Sequence, residues 1–283
     1  MAMTHLFICR VKSPKEMRDM SADGHWTKGD SYEPYVGRWS RLVATRFIDW
    51  LAPTADGRWL DVGCGTGALT ETILRTARPS SVRGVDSSDG FVGFARDRIT
   101  DPRAEFEVAD AVHLPGDDGS RDYTVSGLVL NFVPNQAGAL DEMRRVTREG
   151  GLIAAYVWDY AEGMELMRYF WDAAAELDPG AASLDEGPLF PICNPEPLRS
   201  LWEQAALHDV SVVPIDIDTT FKDFDDYWSP FLGGQGPAPS YTMALGESAR
   251  HELKTLLRER LPVEVDGSVR LRARAWAVRG RVT

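Results

Sequence analysis

The stretch Trp59-Leu60-Asp61-Val62-Gly63-Cys64-Gly65-Thr66-Gly67-Ala68-Leu69 joins three kinds of structure in a short span. Trp59, Leu60 and Val62 have the apolar make-up of a buried strand. Three glycines at alternate positions permit positive φ and close backbone approach, and Ala68-Leu69-Thr70-Glu71-Thr72-Ile73-Leu74 begins helical periodicity. A strand that runs through a glycine turn into a helix presents backbone N–H groups at its carboxyl end, where open α/β sheets bind small molecules. Spacing alone leaves the ligand open. Gly63-x-Gly65-x-x-Ala68, with Asp86 about 20 residues further on, satisfies a relaxed dinucleotide fingerprint. Asp61 weighs against it, because a carboxylate at the turn repels a pyrophosphate and suits a cation. Gly67 adds a third glycine two residues after the second.

Further acids follow in order. Ser81-Val82-Arg83-Gly84-Val85-Asp86 predicts a second strand with a carboxylate at its end, followed by a helix carrying Phe91, Phe94, Ala95 and Ile99. Ala104-Glu105-Phe106-Glu107-Val108-Ala109-Asp110-Ala111 gives a third. With these residues in place, Leu60-Asp61-Val62-Gly63-Cys64-Gly65-Thr66-Gly67 resembles the first motif of class I S-adenosylmethionine methyltransferases, whose cofactor carries an ammonium and a sulfonium.

The resemblance covers roughly residues 35 to 160 and implies roles residue by residue. Asp61, Gly63, Gly65 and Gly67 form the cradle. Asp86, with Ser87 beside it, accepts the ribose hydroxyls. Asp110 takes the adenine amino group, with Ala111 beside the ring. Tyr35 and Arg38, at the head of a lead-in helix, reach the methionine carboxylate, Arg38 by a charge-assisted pair. A solvated arginine beside a helix cap is an equally good reading of Arg38.

A chain of 283 residues, 43% hydrophobic, is large enough for one sizeable core. Its net charge of -12 argues against nucleic acid and other polyanions as partners. No run approaches the roughly 18 apolar residues needed to span a bilayer, so no membrane partner is expected. Cys9, Cys64 and Cys193 have neither metal-ligand spacing nor an even count, which favours a reducing compartment; a cytoplasmic setting and no metal are the expectations. Oligomeric state is not legible.

Downstream, Asp122 to Leu130 reads as a fourth strand, apolar from Val125 onward as a strand buried on both faces should be. Leu140, Met143 and Val146 or Thr147 predict a helix with Arg144, Arg145 and Arg148 in its last turns, ended by Gly150-Gly151. Leu152 to Trp158 is a fifth strand that delivers Trp158, Asp159 and Tyr160 to the ligand edge. Asn131, Trp158 and Asp159 are the substrate-side candidates, against structural readings as a turn cap, a core packer and a helix cap.

Beyond residue 160 helical stripes replace the family pattern. They include Met164 to Leu177, Leu198 to Ala205, and a long helix from Leu245 to Leu261. Val210 to Phe221 alternates as a sixth strand. Val269 to Ala277, alternating with Arg270, Arg272 and Arg274, predicts an antiparallel seventh. These arginines read as a solvated sheet end or as partners for the acidic excess rather than as a phosphate stripe.

The expected fold is α/β: a Rossmann-like, seven-stranded, mostly parallel sheet with an antiparallel last strand, helices on both faces and helical lid insertions. The expected organisation is an N-terminal arm, partly mobile, over residues 1–34 and a single methyltransferase domain over 35–283, with insertions at about 160–208 and 222–262. Tyr169, Phe170, Trp171, Phe190, Trp202, Tyr227, Trp228, Phe231 and Tyr241 in those insertions suit a wall around a flat apolar acceptor. The expected activity is transfer of a methyl group from S-adenosylmethionine to an O or N atom of a small hydrophobic or aromatic acceptor, leaving S-adenosylhomocysteine. No catalytic base is assigned, because in-line displacement depends chiefly on orientation. The alternatives are an NAD(P)-dependent oxidoreductase and an S-adenosylmethionine-binding regulator without catalysis.

Overall fold

The computed structural model describes residues 38–233 and 236–283. Tyr35 and the expected arm over 1–34 lie outside the described residues. Among those described, seven strands form one sheet in the order β3-β2-β1-β4-β5-β7-β6. The strands are β1 (Arg58–Val62), β2 (Ser81–Asp86), β3 (Ala104–Val108), β4 (Arg121–Gly127), β5 (Thr147–Trp158), β6 (His208–Phe221) and β7 (Val269–Arg281). Neighbours from β3 to β5 pair in parallel, and β7 runs antiparallel to both β5 and β6.

Strand order reverses at β1, which lies between β2 and β4. Helices α2 (Ala68–Thr76) and α3 (Asp89–Arg98) connect β1 to β2 and β2 to β3. Helix α4 (Gln136–Val146) connects β4 to β5 in the opposite direction along the sheet. Because parallel crossovers are right-handed, helices wound in opposite directions fall on opposite faces, and a crevice opens where the direction changes. Lead-in helix α1 (Arg38–Leu51) buries Trp39, Val43, Ala44, Phe47, Ile48 and Leu51 and leans on α2.

Local chemistry explains the boundaries. Ser88 Oγ accepts from Phe91 N to start α3, and Asn135 Oδ1 accepts from Gly138 N to start α4. Central strand β5 is buried without interruption from Gly151 to Trp158, as a strand covered on both faces requires. Trp59 stacks on Tyr123 at 4.3 Å and Phe47 packs on Tyr156 at 4.7 Å, tying α1, β1, β4 and β5 together.

One boundary differs from the expectation. Helix α4 stops at Val146, and β5 already begins at Thr147. The Thr147 hydroxyl donates to Met143 O at 2.6 Å and sits 2.6 Å from the Thr124 hydroxyl, which draws the chain onto β4 before the glycine pair. Arg148 is therefore a strand residue, paired with Asp122 at 2.6 Å. The expected helix from Leu245 to Leu261 is α10 (Glu247–Arg260), and a separate helix that was not expected, α9 (Pro237–Ala244), precedes it, parted from it at Leu245-Gly246.

Between β5 and β6 lie α5 (Glu165–Leu177), α6 (Glu186–Leu189) and α7 (Pro195–Gln204). Between β6 and β7 lie α8 (Phe224–Trp228), α9 and α10. On β7, Arg272 and Arg274 stand opposite Asp218 and Asp216 in register, and Arg274 Nε bonds Asp216 Oδ1 at 2.9 Å. Two of the three arginines thus face the acidic strand beside them. No helix among the described residues is long and apolar enough to cross a membrane.

Candidate functional site

The turn after β1 is held by its own backbone. Gly63, Gly65 and Gly67 have φ of 73°, 53° and 87°. Gly63 N and Cys64 N both donate to Val85 O, at 2.7 and 2.9 Å, which locks the turn to the end of β2. A Cβ on Gly63 would lie 2.4 Å from Val129 Cγ1, so this position is closed to any side chain. Among the described residues, a Cβ on Gly65 would meet nothing within 4 Å, so the middle of the turn is open on that side. Helix α2 begins without a side-chain cap, leaving its first N–H groups directed at that space.

Carboxylates surround the turn. Asp61 is fully buried; Thr70 Oγ1 donates to its Oδ2 at 2.7 Å, while Oδ1 has no partner among the described residues. Burial pushes its pKa up to about 7, against the Thr70 bonds and with a smaller contribution from Asp86. Asp86 accepts from Gly65 N at 3.0 Å through Oδ2 and from Ser88 N at 2.9 Å through Oδ1. Burial raises its pKa too, outweighing those two bonds. Exposed Asp110 accepts from Val112 N at 3.0 Å.

Two adjoining cavities share Gly63, Asp86, Phe91, Val129 and Phe132. One, about 1120 Å³ including its opening to solvent, is bordered by Asp86, Ser87, Asp110 and Ala111. The other, about 1000 Å³ on the same measure, runs from Asp61, Gly65 and Ser40 past Tyr156 and Trp158 to Tyr160, Met167, Glu186 and Phe190. The structure thus brings Asp61, Gly63, Gly65, Asp86, Ser87, Asp110, Ala111 and Trp158 to one continuous cleft; Gly67 supports the turn from behind, against Ile99.

Three other candidates stand elsewhere. Arg38 borders neither cavity: its Nη1 bonds both Asp226 oxygens, at 3.0 and 3.1 Å, and its guanidinium lies 4.6 and 4.7 Å from the ring centres of Trp39 and Phe221. Asp159 also borders neither. It is buried, accepts from Glu162 N at 3.0 Å to close a turn, and lies 3.9 Å from Arg274. Asn131 is buried in a 3-10 turn outside both cavities.

Sequence reasoning missed Glu186. This glutamate is 2% exposed, accepts from Trp171 Nε1, and borders the second cavity. Burial pushes its pKa up to about 7 despite the bond from Trp171. Asp185-Glu186 reads in the sequence as a solvated helix start, and Asp185 does cap α6 through Gly187 N at 2.9 Å. Arg168, which pairs with Asp185, fixes that cap from α5. Nothing local marks Glu186 as inward-facing.

The family described as methyltransferase domain matches residues 60–155, from the middle of β1 to the middle of β5. Those residues are a methyltransferase domain. In fold and family it is a class I S-adenosylmethionine methyltransferase domain, and S-adenosylmethionine is the cofactor of that class.

The chain is 31% identical over 135 residues to the methyltransferase GfsG of Streptomyces halstedii, covering 46% of this chain and 48% of that protein. It is 37% identical over 110 residues to a demethylmenaquinone methyltransferase of Roseiflexus castenholzii, covering 39% and 46%. It spans less than half the length of these relatives. Haemonchus contortus phosphoethanolamine N-methyltransferase 2, solved in complex with S-adenosylmethionine, superposes with a TM-score of 0.55 at 15% identity, over 97% of this chain and 61% of that one. At that identity the likeness is one of fold. The matched segment of the methyltransferase domain holds Asp61, the glycine turn, Asp86 and Asp110, and ends before Trp158 and Glu186.

Proposed function

We propose that this chain binds S-adenosylmethionine across the crevice at β1 and transfers its methyl group to a small, apolar or aromatic acceptor seated under α5 and α6. The observation that carries the reading is the fully buried carboxylate of Asp61, whose Oδ1 is unpartnered beside the glycine turn. A pyrophosphate at that turn would meet a carboxylate, whereas an ammonium would satisfy it. The cofactor's shape also fits: Asp86 borders both cavities, as a ribose-binding group between adenine and methionine would, and Asp110 and Ala111 border the cavity away from the cover.

When bound, the cofactor supplies an electrophilic methyl carbon. The protein's part is to hold the acceptor in line with it and to keep water away, and orientation supplies about 7 to 11 kcal/mol of a barrier. Tyr156, Trp158, Tyr160 and Phe190 give the acceptor cavity apolar walls, which favours a small flat molecule over a macromolecular one. Arg38, held by Asp226, has no part in this reading.

Calorimetric titration of the full chain should show binding of S-adenosylmethionine and S-adenosylhomocysteine and none of NADH; the reverse pattern would make it an oxidoreductase. Release of S-adenosylhomocysteine with small phenols, amines or carboxylates should be detectable. Cofactor binding with no methyl release from any acceptor would favour a regulator, and turnover of macromolecules alone would defeat the small-acceptor reading.

A further inference from the structure

The acceptor cavity carries an unmatched charge. Among the described residues, three carboxylates border it, Asp61, Asp86 and Glu186, and no lysine, arginine or histidine does. Asp61 and Asp86 belong to the glycine turn and serve the cofactor in the reading above. Glu186 comes from a separate segment and is left over.

Its surroundings are specific. One carboxylate oxygen accepts from Trp171 Nε1, which orients the group without neutralising it. Arg168, the cation on the neighbouring helix, is committed to Asp185 through both terminal nitrogens. Burial pushes Glu186 up to about 7; its own backbone N–H lowers it most, then Trp171, while Asp185 raises it and Arg168 lowers it by smaller amounts. Among the described residues, the other titratable groups bordering the cavity are Asp61, Asp86, Cys64, Tyr156 and Tyr160, none of them a cation. A carboxylate buried without a counter-charge is unfavourable unless a ligand brings one. Aromatic side chains also border the cavity, a lining that suits a cation on an apolar body. An uncharged apolar acceptor would leave the carboxylate uncompensated, and an anionic one would be repelled.

We propose that Glu186 is the acceptor-binding carboxylate and that the acceptor is a primary or secondary amine carried on an apolar or aromatic body. This rests on the cofactor reading above and deepens it. The amine arrives as an ammonium and forms a charge-assisted hydrogen bond to Glu186. One N–H proton passes to the carboxylate, leaving a lone pair on nitrogen. That lone pair forms the new N–C bond as the methyl carbon's bond to sulfur breaks, with the bonding pair leaving on sulfur. Methylated ammonium is released, and Glu186 returns its proton to water. A carboxylate that takes up a proton near neutral pH is suited to both halves of this cycle.

The test uses the full chain saturated with S-adenosylhomocysteine and titrated calorimetrically with 2-phenylethylamine and with its neutral isostere 2-phenylethanol. The amine is expected to bind at least about tenfold tighter than the alcohol, the scale of a hydrogen bond to a charged group. In Glu186→Gln that preference should collapse to less than about threefold, while affinities for S-adenosylmethionine and S-adenosylhomocysteine stay within about twofold of wild type. Equal binding of amine and alcohol to wild type, or no binding of either to protein that holds S-adenosylhomocysteine, overturns the assignment. A Glu186→Gln protein that loses S-adenosylmethionine affinity and keeps S-adenosylhomocysteine affinity overturns it too, by assigning Glu186 to the sulfonium. The wild-type comparison decides the matter by itself if the variant does not fold. Failure of wild type to bind S-adenosylhomocysteine takes down both readings, whereas the other overturning results leave the cofactor reading standing.

Discussion

The glycine turn and the cover above it solve different problems. The turn gathers its polar groups from strand ends that are neighbours in the sheet, and it fixes them with backbone: Val85 O holds two turn amides, and Gly65 N and Ser88 N hold Asp86. The cover gathers its groups from several separate helices and fixes them mainly through side chains. Trp171 bonds Glu186, Arg168 anchors Asp185, and Tyr227 OH donates to Leu166 O at 3.0 Å. A site built on backbone tolerates change in its surroundings but no change in its own glycines. A site built on side chains can be altered residue by residue, which suits the half that selects an acceptor.

The largest effect that would break this contrast is expected at Gly63. Gly63→Ala sets a Cβ 2.4 Å from Val129 Cγ1 at a φ of 73°. Left-handed strain of about 1–2 kcal/mol and overpacking of about 1–3 kcal/mol should together lower stability by about 2–5 kcal/mol in denaturant unfolding. A loss below 1 kcal/mol would show that the turn adjusts.

Next comes Asp61. Its folded pKa of about 7 lies above its unfolded value, so the folded state holds the extra proton and stability falls as pH rises from about 4 to about 7. Asp61→Asn should therefore stabilise the ligand-free protein at pH 8, by about 2–4 kcal/mol at most relative to its effect at pH 4, and weaken S-adenosylmethionine binding. A wild-type-minus-variant stability difference that does not change with pH would contradict the buried charge.

Asp86→Ala removes hydrogen bonds worth about 1–3 kcal/mol, and its loss should appear as weaker cofactor binding by calorimetry. Unchanged affinity would refute the ribose role. Smallest is Asp159→Ala, which removes the acceptor of Glu162 N and should cost about 1 kcal/mol in thermal unfolding with cofactor affinity unchanged. A selective loss of cofactor or acceptor binding there would bring Asp159 back into the site.

The extent to which the chain could be read follows the same division. The strand, turn and helix around Gly65 were legible because each needs a particular local residue type: apolar residues in a buried strand, glycine where φ is positive, helix formers after it. The period-two alternation of β6 and β7 was legible too, but the register that sets Arg272 and Arg274 opposite Asp218 and Asp216 was not. The end of α4 was misread because Thr147 leaves the helix to bond Thr124 across the sheet, a contact that helical periodicity does not carry.

By itself, then, the sequence determined the sheet, the cradle and the order of carboxylates along the strand ends, since these follow from backbone conformation and hydrophobic period. Only the tertiary structure decided which polar side chains reach the cleft. Arg38 turned to Asp226, Asp159 closed a turn, and Glu186 entered the cavity. The outcomes at Arg38 and Glu186 rest on a partner distant in the chain or on the packing of whole elements, which no spacing within a segment encodes, whereas the Asp159 turn is local, onto Glu162.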